Sequence, residues 1–269
     1  MALIGYALLR GYASHVLWGP FIRPQLAFDK FIGGGETPTV RLQQWLFNPN
    51  SLHVWDYGAW AVYTTHFFVS YIVAAVLWKR DYPRFKRFIA LYVGLTFVGY
   101  AGYVLYPAMP PWLASDTGYM PAISRIVPVV WSNVGVHEAA ALFLHGAKVA
   151  NDIAAMPSLH AAYPMLLLLF FWARGRPWMR ALLVGYVLAM AFSLVYLGEH
   201  FVIDELAGWC AAAAVYFGGS RLLDWRQRRR LGHDQRGRDR RDSASAAARP
   251  WQSSGVPAGF PKGAGRTAR

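Results

Sequence analysis

The sequence predicts an all-α integral membrane protein, a bundle of about six transmembrane helices carrying a helical extracytoplasmic segment. Three observations lead there. The chain is 55% hydrophobic and only 15% charged, whereas a soluble domain carries about 25% charged residues to cover its water-facing surface. Stretches near 55–78, 86–106, 157–173, 181–198 and 202–222 are apolar over roughly the 20 residues a helix needs to cross a bilayer. Lys and Arg cluster between these stretches, in WKRDYPRFKR, in RGRPWMR and in the C-terminal tail.

A sixth span is expected over residues 1–22, MALIGYALLRGYASHVLWGPFI, although Arg10 and His15 interrupt it. It lacks the positive start and the small-residue cleavage site of a secretory signal. Residues 23–54 then form an extracytoplasmic or interfacial segment, broken by Gly33, Gly34 and Gly35. Beyond the glycines, TPTVRLQQWLF predicts a short helix capped by Thr37 or Thr39, with Val40, Leu42, Trp45 and Leu46 on one face. Such a helix lies on the membrane surface and needs no chemistry of its own.

Residues 55–222 form the main transmembrane domain, with its long loop at 107–156. YPAMPPW opens that loop, because its prolines cannot continue the preceding helix. HEAAALFLHGAKVAND later in the loop predicts an amphipathic helix that either covers a site or simply packs. Residues 223–269 form a basic tail carrying much of the net +13 charge, and from Arg236 the tail is rich in Arg, Ala, Ser, Gly and Pro, a composition that predicts disorder.

Orientation follows from the positive-inside rule, which makes both basic loops and the tail cytoplasmic. The start of the 157–173 span, the junction before 202–222 and the 107–156 loop then face the outside of a plasma membrane. Arginines directly after a spanning stretch contact anionic lipid rather than nucleic acid. The single cysteine, Cys210, allows no intramolecular disulfide and no thiolate metal cluster.

Chemistry-bearing residues gather at the outer ends of two spans. In AAMPSLHAAYP, Pro157 is placed in the first helical turn, with Ser158 and His160 beside it. The N–H groups of that turn and the helix dipole favour an anion, and Pro164 loosens the helix just below His160. In GEHFVIDELAG, His200 and Asp204 are four residues apart and share a face if both are helical. A carboxylate there orients the imidazole and leaves its other nitrogen nucleophilic. An ionisable group such as Asp204 inside a span is functional by default. Glu199 and Glu205 flank it, and a solvated loop charge is one reading open for either, while His15, His66, His137 and His145 are expected to be interfacial or packing residues. Arg10 needs an anionic partner, a phosphate or Asp204.

P-S-x-H at the start of one span, followed some forty residues later by H-x-x-x-D at the start of another, resembles the type-2 phosphatidic acid phosphatase superfamily. YPAMPPW, AMPSLHAAYP and HFVIDELAG together look like its inositol phosphorylceramide synthase branch, over roughly residues 35–222. The resemblance implies a metal-free and cofactor-free reaction through a phosphohistidine. His200 would attack phosphorus, Asp204 would orient it, and His160 would protonate the leaving group. Ser158, Pro157, Tyr106, Arg125 and Lys148 are the candidate substrate-binding residues. The substrate implied is a phospholipid or polyprenyl phosphate, with either headgroup transfer or hydrolysis as outcome. A polyprenyl (pyro)phosphate phosphatase is the alternative within the same chemistry.

The pattern also departs from the superfamily's. An Arg expected six residues before the second histidine is Leu194 here, and the first motif is reduced to Pro110, Pro111 and Trp112. The guanidinium clamps for a phosphomonoester dianion are therefore missing from their usual places, which favours a diester with its single charge. Arg125, Lys148 or Arg41 can supply charge in three dimensions. Other classes compete less well. A metal site needs three or four ligands in all, a transporter uses polar residues at the membrane midplane, and a serine protease needs a nucleophile elbow that Ser158 lacks.

Overall fold

The structure is a computed structural model that describes residues 20–135 and 152–247. The first span expected over 1–22, apart from its last three residues, lies outside the described residues. So do Lys148 and the helix expected over 137–152, apart from Asp152.

The described chain is helical. The glycines at 33–35 end helix α1 (Arg23–Ile32), and Gly34 and Gly35 turn the chain with φ of 69° and 107°, values that glycine adopts without strain. Helix α2 (Pro38–Leu46) forms as predicted, but no Thr37 side-chain bond caps it and its face differs. Thr39, Val40 and Gln43 point inward while Trp45 is 73% exposed. The polar Gln43 faces in because its amide holds two backbone segments, described below.

The span predicted at 55–78 is two helices, α3 (Val54–Thr65) and α4 (Val69–Arg80), bent by 46°. The cause is local. The Thr64 and Thr65 hydroxyls donate back to the carbonyls of Trp60 and Val62, at 2.6 and 2.5 Å, and such bonds compete with the helical ladder. Helix α5 (Tyr82–Leu105) follows, opened by Asp81, whose carboxylate accepts the Arg84 N–H at 3.1 Å. Helices α6 (Pro111–Asp116) and α7 (Ile126–Asn133) lie in the 107–156 loop. Helices α8 (Leu159–Trp172) and α9 (Pro177–Tyr196) follow, and α10 (Val202–Ala214) runs through a π-helical turn at Val215–Gly219 into α11 (Ser220–Ala247).

Helices α5 and α9 are each long and apolar enough to cross a membrane, and α3 with α4 make a third crossing if the bent pair is one span. Among the described residues that is fewer than the six crossings expected. Helix α8 is apolar but has 14 residues, about 21 Å at 1.5 Å per residue, against a hydrocarbon core of about 30 Å. Helix α10 has 13 residues before the π turn.

Helix α8 is the hub of the fold, packing on α10, α9 and α5. Its N-terminal approach fits into glycine notches. A Cβ on Gly102 would overlap the Pro157 ring, one on Gly99 the Leu159 side chain, and one on Gly208 the Ser158 carbonyl. Pro157 therefore does not occupy the first helical turn. It precedes the N-cap Ser158, whose hydroxyl accepts the Ala161 N–H at 3.3 Å. Extended segments at Phe21, Ala108 and Ala154 pair in parallel bridges beyond the end of α5.

The chain divides into two units, the first ending at Leu223. In the second, the helix continues from Asp224 to Ala247, including residues from Arg236 expected to lack structure. Its Arg, Gln and Ala residues have high helix propensity, and the Arg229 guanidinium lies 3.9 Å from the Trp225 ring centroid.

Connectivity separates charge from chemistry. The basic clusters at 79–87 and 174–180 sit where α4 meets α5 and where α8 meets α9. Residues 106–110, 154–160 and 196–204 lie at the other ends of α5, α8, α9 and α10.

Candidate active site

The α8 start and the loop between α9 and α10 bring the predicted residues together. His160 is the second residue of α8. His200 is not on a helix with Asp204, since α10 begins at Val202 and His200 lies two residues before it. Gly198, with φ of 79°, makes the turn that allows this. The N–H groups of Glu199 and His200 both donate to the Leu194 carbonyl, at 3.0 and 3.3 Å.

Asp204, the third residue of α10, still reaches His200. Its Oδ2 accepts the Phe201 N–H at 3.0 Å and lies 3.6 Å from His200 Nδ1. That distance is a charge contact rather than a hydrogen bond. On the other side of the ring, His200 Nε2 lies 3.4 Å from His160 Nδ1. His160, His200 and Asp204 thus form one line, with Asp204 fully buried and His200 only 6% exposed. The Ser158 N–H donates to the Asp204 carbonyl at 2.9 Å, joining the two motifs through the backbone. That donor is consequently not offered to an anion, and the Ser158 hydroxyl is engaged in its own helix cap.

Among the other predicted binding residues, Arg125 sits at the site's edge. Its Nε and Nη2 donate to the two Glu199 oxygens at 2.8 and 3.0 Å, and its guanidinium stacks over Trp112 at 4.3 Å. Glu199 is therefore a buried ion-pair partner and not a solvated loop charge. Glu205 is also buried, at 3% exposure. Tyr106 stacks on Phe21 at 4.4 Å and lies within electrostatic reach of Asp204. Leu194, at the position where the superfamily pattern has Arg, is fully buried. Among the described residues, no group of three or more His, Cys, Asp and Glu side chains is arranged as a metal centre.

Several residues escaped the sequence reading. His66, expected to be packing or interfacial, lies at the α3–α4 break with its ring centroid 3.9 Å from that of His160. Tyr63 stacks on His160 at 5.1 Å. Asp29 of α1 is fully buried, and its carboxylate accepts the N–H groups of Val202 and Ile203 at 3.1 and 3.4 Å. Its signal in the sequence is the spacing of Ile22, Gln25, Leu26 and Asp29 on one helical face. Burial holds the Asp29 carboxyl at a pKa of about 6, above the usual carboxylate range, with the nearby Asp204 charge adding to the effect.

The described part of the 107–156 loop is fastened to the end of α9 and the turn that leads to His200. The Trp112 N–H donates to the Gly198 carbonyl at 3.1 Å and the Ile126 N–H to the Leu197 carbonyl at 3.3 Å. Gln43 donates to the carbonyls of Ser124 and Tyr196, both at 2.9 Å, and accepts the Ser124 N–H at 2.8 Å. Gln43→Ala should therefore strand three backbone groups, at roughly 1–3 kcal/mol for each one left buried without water. Thermal unfolding in detergent should show a lower melting temperature, while Gln44→Ala, on the exposed face, should leave it unchanged.

A family model described as PAP2 superfamily matches residues 29–217. A phosphoinositol dihydroceramide synthase of Bacteroides thetaiotaomicron is 29% identical over 136 residues, 48% of this chain and 44% of that protein. The inositol phosphorylceramide synthase catalytic subunit of Schizosaccharomyces pombe is 27% identical over 187 residues, 66% of this chain and 43% of that protein. The chain spans less than half the length of these relatives. No solved structure matches it.

Proposed function

Because the chain belongs to the PAP2 superfamily, we propose that it is a membrane lipid headgroup phosphotransferase or phosphoesterase working through a phosphohistidine on His200. The observation that carries this reading is the line Asp204, His200, His160, with contacts of 3.6 and 3.4 Å. Asp204 faces Nδ1 of His200, so Nε2 is the attacking atom. Its bond to phosphorus forms as the bond from phosphorus to the lipid alkoxide breaks, and His160 gives the alkoxide its proton. In the second half-reaction His160 takes a proton from water or from an acceptor hydroxyl, whose oxygen displaces His200.

The resting pair is too close to hold phosphorus between the rings. A near-attack nitrogen sits about 3–3.5 Å from its target, and the acid needs a further hydrogen bond to the leaving oxygen. Substrate entry therefore separates His160 from His200.

The substrate class follows from charge. Leu194 offers no guanidinium, and Arg125 is already neutralised by Glu199. This supports a phosphodiester, with one negative charge, over a monoester dianion. The names of the relatives, which refer to phosphoinositol and ceramide, support transfer of a phosphoinositol-type headgroup to a lipid hydroxyl. The test is headgroup release from a panel of phospholipids and polyprenyl phosphates, with chelator present. Release from diesters that survives the chelator supports the reading. Loss with chelator, or turnover of monoesters alone, overturns it.

Six crossings are proposed, the first within residues 1–22, with the site outside a plasma membrane and the tail inside. On a Cys210→Ser background, Tyr119→Cys is expected to react in intact cells with an impermeant maleimide. Arg176→Cys should react only after lysis, and the reverse pattern would invert the topology.

A further inference from the structure

Asp29 lies outside both histidine motifs, on a helix far from them in sequence, yet it is fully buried against the helix that carries Asp204. Its two oxygens take the N–H groups of Val202 and Ile203, the first two residues of α10. Those donors have no partner within the helix, and a carboxylate there also meets the positive end of the helix dipole. Phe201, the N-cap residue of α10, has no side chain able to accept them. Asp204 satisfies the Phe201 N–H instead. Two carboxylates thus divide the capping of one turn, one from inside α10 and one from α1.

We propose that Asp29 is a positioning residue for the His200–Asp204 pair, acting through the first turn of α10. The proposal rests on the catalytic role given above to His200. Asp204 is held at its distance from His200 by where α10 starts. Without Asp29, the two N–H groups compete for the Asp204 carboxylate, the acceptor already present in that turn, and draw it off His200. Asp29 is fully buried and offers substrate no surface, so its loss should act on the chemical step and not on binding.

The facing charges on α10 are Asp204 and Glu205. A proton on Asp29 relieves its burial, so the fold gains stability as pH falls through about 6 and loses it as pH rises again. At neutral pH the charged carboxylate is kept at a cost to stability. Asn at this position removes that cost and keeps one acceptor oxygen. The substitution therefore separates capping from charge.

The experiment compares wild type, Asp29→Asn and Asp29→Ala by steady-state kinetics, by melting temperature against pH, and by the rate at which diethylpyrocarbonate labels His200. Labelling is read by mass spectrometry with His53 as internal reference. Asp29→Ala should lose kcat by about 10- to 100-fold with KM within about twofold, since small misplacements of a catalytic group cost this much. Asp29→Asn should recover most of kcat and should show a smaller rise in melting temperature than wild type on acidification through about pH 6. His200 labelling relative to His53 should change several-fold in Asp29→Ala. Wild-type kcat and wild-type labelling in a folded Asp29→Ala variant would overturn the proposal. Because labelling needs no substrate, an unchanged rate counts against Asp29 even if the lipid reaction proves wrong, and a changed rate counts for it.

Discussion

His200→Ala is expected to abolish turnover, by a factor on the order of 10⁴ or more, because removing a nucleophile removes the covalent route altogether. His160→Ala should cost less, about 10²–10⁴, the usual worth of a general acid or base. The two can be told apart with a phosphodiester lipid analogue whose leaving group is a nitrophenolate, which departs without a proton. The first half-reaction then no longer needs His160. His160→Ala should release nitrophenolate in a rapid burst of about one equivalent and stall as a phosphoenzyme, since the second half-reaction still lacks its base. His200→Ala should give no burst. Equal bursts from both variants would remove His200 from the role of nucleophile. A burst from neither would mean that His160 does more than move protons.

The geometry explains why the histidines are legible in the sequence. His160 and His200 each sit beside a helix start, and helix starts are marked by Ser158 and by the acidic pair Asp204 and Glu205. Those signals are local and need no knowledge of packing. Helix boundaries are less legible. The four-residue spacing puts His200 and Asp204 on one helical face, but Gly198 turns the chain so that α10 begins only at Val202. Their contact survives because Asp204 reaches back along the first turn. Helical periodicity marks the face that carries Asp29, but it does not record the distant partners that Asp29, His66 and Gln43 meet. Gln43 bonds residues 81 and 153 positions away. His66 meets His160 only because α3 and α4 break at that point. Burial of Glu199 likewise depends on Arg125, 74 positions earlier. The α8 span is legible nearly to its ends, 157–173 against Leu159–Trp172, and only its start is misplaced, because Pro157 and Ser158 precede the helix.

Gly208→Ala is expected to be among the most damaging additions of a single methyl group in the described chain. The added Cβ would overlap the Ser158 carbonyl oxygen, with the Ala162 nitrogen at 3.5 Å behind it. Ser158 has little freedom to retreat. Its N–H is bonded to the Asp204 carbonyl at 2.9 Å and its carbonyl to the Ala162 N–H at 3.0 Å. On the far side, Pro157 and Leu159 fill the notches left by Gly102 and Gly99. Overpacking typically costs about 1–3 kcal/mol, and with backbone on both sides the cost here should be about 3 kcal/mol or more. Size-exclusion chromatography in detergent should show little monodisperse protein, and what remains should melt well below wild type. Gly185→Ala, at a glycine whose added methyl would meet nothing within 4 Å, is the matched control and should behave as wild type. Any folded Gly208→Ala protein must have separated α8 from α10, and that same step moves His160 away from His200. Loss of kcat should therefore accompany loss of stability in this variant. A folded variant with full activity would show that α8 and α10 can part without disturbing the two histidines.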